Sequence, residues 1–139
     1  MTAIDKSGQQ RIRIHSGRVI DPAGDIDSKT DVFVAAGKIV ATGEAPDGFT
    51  ADYEIDATNH VVCPGLVDIC AHLREPGLEH KATIATETRA AACGGITTLC
   101  CPPHTNPVID TPAVAELIRL RAEAAGMSRV VTLGALTRG

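Results

Sequence analysis

After Asn59 the chain alternates strand, helix, strand, helix and strand, and this order restricts the possible folds more than any other feature of the sequence. Strands separated by helices run parallel in one sheet and are joined by right-handed crossovers. Val61-Val62-Cys63 and Gly65-Leu66-Val67-Asp68-Ile69 read together as a buried parallel strand, because such strands are covered on both faces and become nearly continuous apolar runs. Residues from about Ala82 to Cys93 form an alanine-rich helix ended by Gly94-Gly95, and Ile96-Thr97-Thr98-Leu99-Cys100 is the second strand. Thr111-Pro112 supplies an N-cap and a proline at the first helical position, with Val114, Leu117, Ile118 and Arg121 spaced along a helix to Gly126. Arg129-Val130-Val131-Thr132-Leu133 is the third strand. Three parallel strands fit either a doubly wound sheet or the start of a (β/α)8 barrel. A barrel typically needs about 250 residues, so within 139 residues any barrel is incomplete.

Upstream, Arg11-Ile12-Arg13-Ile14, Asp31-Val32-Phe33-Val34-Ala35, Lys38-Ile39-Val40-Ala41 and Tyr53-Glu54-Ile55-Asp56 are short alternating runs bounded by turn-forming residues. They predict a small antiparallel, sandwich-like β unit, with Ala36-Gly37 as a tight hairpin connection. The expected organisation is therefore a β unit over 1–62 and an α/β part over 63–139, truncated after about the third strand.

A formal charge of −4 and the lack of Lys/Arg clusters argue against nucleic acid or an anionic membrane as partner. The start, Met1-Thr2-Ala3-Ile4-Asp5-Lys6, has no signal-peptide pattern, and no apolar run has the length of a membrane span, so a cytoplasmic protein is expected. With 2% aromatic residues the core must come from Ala, Val, Ile and Leu. The five cysteines contain no C-x-x-C pair and read mostly as buried thiols, the adjacent Cys100 and Cys101 included.

The chemistry is concentrated in Asp68-Ile69-Cys70-Ala71-His72-Leu73-Arg74-Glu75-Pro76-Gly77, at the end of the first strand of the α/β part, where such folds build their sites. Alternation along a strand would bring Asp68, Cys70 and His72 to one side. Thiolate and imidazole both suit zinc, but two ligands do not make a site. The stretch resembles the Asp-x-His-x-His-Leu-Arg-Glu-Pro-Gly signature of dihydroorotases, members of the amidohydrolase superfamily. The similarity extends from the β unit through Thr88-Arg89-Ala90-Ala91-Ala92-Cys93-Gly94-Gly95-Ile96-Thr97-Thr98 to the last strand.

The resemblance implies a (β/α)8 barrel in which two histidines after the first strand help bind zinc and a metal-bound hydroxide attacks the dihydroorotate ring amide, giving carbamoyl aspartate. His72 matches the second of those histidines, and Cys70 stands in place of the first. Arg74 matches the arginine that grips the substrate carboxylate, for which a guanidinium offers paired hydrogen bonds. In Pro103-His104-Thr105-Asn106-Pro107, His104 replaces that arginine's usual asparagine partner. The family's bridging modified lysine, two further histidines and an aspartate would lie on later strands.

These departures resemble the non-catalytic dihydroorotase-like proteins that assemble with aspartate transcarbamoylase. The expectation is a vestigial site, with Cys70 and His72 at an unoccupied metal position and Arg74 and His104 at a substrate position. No catalytic residue and no cofactor are expected in this chain alone. Its partner would be aspartate transcarbamoylase or a second copy. The rival reading is the N-terminal portion of a zinc-dependent dihydroorotase or related cyclic amidohydrolase. A third, an independent α/β module, implies poor solubility from its uncovered edge and apolar faces. Plainer assignments stand beside the functional ones: Cys70 as a buried interior thiol, which is preferred, His72 as a hydrogen-bonded core residue, Arg74 and Glu75 as an exposed ion pair, and His104 as a solvated loop residue. His15, His60 and His80 have no partners at ligand spacing.

Overall fold

The computed structural model describes residues 10–137. The segment Met1–Lys6, read above as lacking a signal peptide, lies outside them. The chain divides between Pro64 and Gly65 into two compact units.

The first unit contains β1 (Ile12–His15), β2 (Arg18–Asp21), β3 (Ile26–Lys29), β4 (Val32–Ala35), β5 (Lys38–Thr42), β6 (Tyr53–Asp56) and β7 (Val61–Val62). They form a four-stranded sheet, β5-β4-β1-β6, and a three-stranded sheet, β3-β2-β7. Both are mixed, which corrects the antiparallel expectation: β6 runs parallel to β1, and β7 parallel to β2. Alternating hydrophobicity reports which face a residue takes, but not which way a neighbouring strand runs. The hairpin between β4 and β5 turns on Ala36 and Gly37, with φ of 50° and 70°, the left-handed pair that a two-residue connection needs. Phe33 is buried and meets Phe49 edge to face at 5.2 Å.

The second unit contains β8 (Leu66–Asp68), α1 (Ile84–Cys93), β9 (Ile96–Cys101), α2 (Pro112–Ala125) and β10 (Arg129–Thr132). Its sheet has the order β10-β9-β8, with both pairings parallel. The apolar run around Pro64 is split. Val61–Val62 pairs with β2, and only Leu66–Asp68 joins the parallel sheet, because Cys63-Pro64-Gly65 contains a residue without a ladder N–H.

The expectation of a buried first strand is also corrected: Leu66, Val67 and Ile69 are 56%, 60% and 75% exposed. Among the described residues β8 is an edge strand, and its side chains lack the covering layer that an apolar parallel strand has when it is central. The core lies instead between sheet and helices, formed by Leu73, Ile84, Leu99, Cys101, Ile109, Ile118 and Ala122.

Thr83 caps α1 in a reciprocal arrangement with Thr86, each side chain meeting the other's backbone N–H. Thr111 has the extended backbone of an N-cap but makes no side-chain cap bond. The start of α2 therefore rests on Pro112, whose missing N–H costs nothing in the first turn. Gly126 ends α2 in the left-handed region, φ 61°.

Ser128, buried before β10, donates its hydroxyl to the Ile96 carbonyl at 2.7 Å and lies 3.2 Å from the Thr88 carbonyl, tying α1, β9 and β10 together. Ser128→Ala is expected to destabilise the protein by about 1–2 kcal/mol through loss of that bond and the unmet buried acceptor, measured by denaturant unfolding. A shift in midpoint too small to resolve would contradict the tie.

Candidate functional site

Because β8 and β9 are parallel neighbours, the loops that follow them leave the same end of the sheet. The first, residues 69–83, carries Cys70, His72 and Arg74; the second, residues 102–111, carries His104. The first begins where the Asp68 carboxylate accepts the Cys70 N–H at 2.9 Å, a local turn that ends strand geometry. Strand alternation therefore does not continue through Cys70 and His72. Even so, Asp68, Cys70 and His72 line one shallow pocket of about 360 Å³, together with Glu87 and Leu99. The Ala71 N–H donates to the Cys100 carbonyl at 2.9 Å, and the Leu73 side chain enters the core, so the loop stays against β9.

The structure brings His72 and His104 together. Their rings stack with centroids 5.3 Å apart and planes 13° from parallel. Both residues are exposed, so His72 is not the hydrogen-bonded core residue of the plainer reading. Arg74 is exposed too and has a positive φ of 65°. It makes no pair with Glu75: that carboxylate turns inward and engages Arg121 of α2. The physical reason lies at the N-terminus of α1, where Glu75 Oε2 accepts the Ile84 N–H at 2.6 Å and so meets an otherwise unpaired helix donor.

The cysteine expectation is corrected. Cys63, Cys70 and Cys93 are exposed, Cys100 is half-buried, and only Cys101 is buried. Cys70 follows the end of β8, which is an edge strand among the described residues. Burial pushes the Cys101 thiol above its ordinary range, opposed by a backbone hydrogen bond at Leu73, which keeps it a packing group rather than a reactive thiolate. His15 and His60 have local partners, Ser16 Oγ and the Thr58 carbonyl, each at 2.9 Å.

The second loop is locked to the first. The Asn106 N–H donates to the Pro76 carbonyl at 3.0 Å, and Gly77 packs directly on the Asn106 backbone. Thr105 is buried and donates its hydroxyl to the Pro107 carbonyl at 2.7 Å. Sequence reasoning missed Glu75, Gly77, Asn106 and Arg121 as the parts that hold the site. The available signal was the presence of Glu75 and Gly77 within the motif.

As a zinc centre the arrangement falls short. Structural and catalytic zinc sites take three or four protein donors. Among the described residues no group of three His, Cys, Asp or Glu side chains could hold a metal ion. Stacked, nearly parallel imidazoles also direct their in-plane lone pairs along separate planes rather than at one ion. The residues present thus do not by themselves fit the metal implied by the motif.

The parallel β/α sheet with this loop pair at its strand ends is of a kind found in amidohydrolase-type proteins. The chain is similar to an L-hydantoinase (dihydropyrimidinase) from Arthrobacter aurescens, with a TM-score of 0.76 and 25% identity over 91% of this chain and 28% of that one. Residues 59–138 match the family described as Dihydro-orotase-like, and the chain belongs to that family. It is 57% identical over 128 residues to a dihydroorotase-like protein of Pseudomonas aeruginosa, covering 92% of this chain and 30% of the relative. To a dihydroorotase of Anaeromyxobacter dehalogenans it is 47% identical over 126 residues, covering 91% of this chain and 29% of the relative. The chain therefore spans about 30% of the length of the curated relatives it matches.

Proposed function

We propose that the chain is the N-terminal part of a cytoplasmic dihydroorotase-like protein of pyrimidine biosynthesis, comprising a β unit and the first strands of a (β/α)8 barrel. Its metal centre is degenerate, and its role is non-catalytic, as a scaffold for aspartate transcarbamoylase or for a second copy. The observation that carries this reading is the pairing of His72 with His104. The ring expected to ligate metal is stacked on the residue that replaces the substrate-binding asparagine, while Cys70 stands exposed where a histidine is expected. The name of the Pseudomonas aeruginosa relative, a dihydroorotase-like protein, agrees with it. Arg74 remains exposed and able to meet a carboxylate, and dihydroorotate or carbamoyl aspartate is the ligand class this site would take.

The test is zinc analysis and turnover of carbamoyl aspartate by the full-length reading frame containing this segment, alone and co-purified with aspartate transcarbamoylase. The expected outcome is no stoichiometric zinc, no turnover, and co-elution with the transcarbamoylase. Cys70→His is expected to restore neither metal nor activity. Stoichiometric zinc with turnover in the unmodified protein would defeat the proposal.

The rival reading, a zinc-dependent dihydroorotase or related cyclic amidohydrolase of which this is the N-terminal portion, draws on the relative named dihydroorotase at 47% identity. Recovery of zinc and turnover in Cys70→His would favour it, because a thiolate at that position donates more charge to a metal than imidazole does and weakens it as a Lewis acid.

A further inference from the structure

Between Asp68 and Ile84 the chain forms no helix or strand, yet its path is fixed at several points. Leu73 is buried in the core. Glu75 is only 8% exposed, and a carboxylate stays buried only where its charge is met. One of its oxygens accepts the Ile84 N–H, and the other engages the Arg121 guanidinium. Arg121 Nη1 also lies 3.8 Å from Glu79 Oε1, and Glu79 accepts the Gly77 N–H at 3.0 Å. A single guanidinium on α2 thus faces both carboxylates that hold the loop on either side of Pro76-Gly77. The Pro76 carbonyl in turn receives the Asn106 N–H from the loop bearing His104. Arg74 lies between the two inward anchors, Leu73 and Glu75, with its backbone held at positive φ and its side chain exposed.

We infer that Arg121 is a positioning residue for the candidate ligand site. Acting through Glu75, and secondarily through Glu79, it fixes where His72 and Arg74 stand relative to His104. Arg121 touches no ligand in this arrangement. It sets the placement of the groups that would. Both carboxylates are faced by the same nitrogen, Nη1, and a guanidinium suits a carboxylate as buried as Glu75 because it is more weakly hydrated than a lysine ammonium. The ligand side of the inference, a ring bearing a carboxylate, rests on the reading of Arg74 given under Proposed function. The clamp itself does not.

The experiment uses the full-length reading frame with Arg121→Met, Arg121→Lys, Glu75→Gln, the Arg121→Met/Glu75→Gln double variant, and Arg74→Met. Peptide-resolved hydrogen exchange is expected to speed up by about tenfold or more at residues 75–80 and 104–107 in Arg121→Met, while β9 and β10 keep their protection, because the opening is local. Arg121→Lys should fall between wild type and Arg121→Met. The double variant should add little to either single change, the non-additivity of two groups acting as one unit. As a second readout, the ratio of dissociation constants for dihydrouracil and dihydroorotate, the same ring without and with the carboxylate, should drop about tenfold in Arg121→Met, the size of a lost charge-assisted contact.

Unchanged exchange in the two loops, or faster exchange spread evenly over both strands, would overturn the inference and reduce Arg121 to a stabilising surface charge. Failure of the Arg74 reading looks different: Arg74→Met would leave the ligand preference intact, or the unmodified protein would bind neither ring. In either case the exchange data alone decide the role of Arg121.

Discussion

Gly77→Ala is expected to destabilise the protein by about 3 kcal/mol or more, the sum of a strained backbone and an overpacked contact. Gly77 has a φ of +100°, where an L side chain is strained even with free space around it. There is no free space. An added Cβ would stand 2.2 Å from the Asn106 carbonyl oxygen, 2.6 Å from its Cβ and 2.9 Å from its carbonyl carbon. Two of these three atoms are backbone, so no rotamer change on the partner relieves the overlap. The substitution would force the loops apart and strain the hydrogen bond from Asn106 to Pro76. Thermal and denaturant unfolding measure the loss, and hydrogen exchange should place it in the two loops first. Wild-type stability in Gly77→Ala would show that the loops are not in contact as described.

The second large effect is expected at Ile118, which is 0% exposed and belongs to the core between α2 and the sheet. Ile118→Ala removes three carbons where neighbouring side chains cannot fully close the gap, at a cost of about 2–5 kcal/mol. Ile118→Val should cost about 0.5–1.5 kcal/mol, so the pair grades transfer and cavity contributions at one position. Leu117 and Leu120, on the same helix and exposed, are the internal comparison: truncating either should have a much smaller effect. Equal losses at Leu117 and Ile118 would mean that α2 presents a different face to the sheet.

The same helix shows what could be read directly from the sequence. Thr111-Pro112 marks its start and Gly126 its end, and the observed span is Pro112–Ala125. The strand at Ile96–Cys101 and the helix ending before Gly94-Gly95 are equally local signals, carried by residues within one turn or one strand of each other. Where partners lie far apart in the chain, the sequence is silent. Nothing in Tyr53–Asp56 says that its neighbour β1 runs parallel, and nothing in Leu66–Asp68 says that β8 is an edge among the described residues.

The candidate site divides in the same way. Cys70, His72, Arg74 and His104 are recognisable from their motif positions, since a motif records which residues occur at fixed spacing. Their arrangement depends on contacts between loops. The stacking of His72 on His104, and the capture of Glu75 by Arg121 across 46 positions, have no periodicity from which to infer them. Among the described residues Cys70 and β8 are both more exposed than expected, because an apolar run does not report which elements cover its two faces.

That exposed sulfur gives the site a built-in chemical reporter. Cys70 lies two residues from His72 and lines the same pocket, whereas Cys63 and Cys93 are accessible thiols elsewhere in the chain. A maleimide or disulfide reagent would therefore register occupancy as protection of one thiol among the three exposed ones of the described residues. Cys101, buried and held in its protonated form, would contribute little background to the signal. Ligand binding by the unaltered protein becomes measurable by peptide mass alone, without an enzymatic assay.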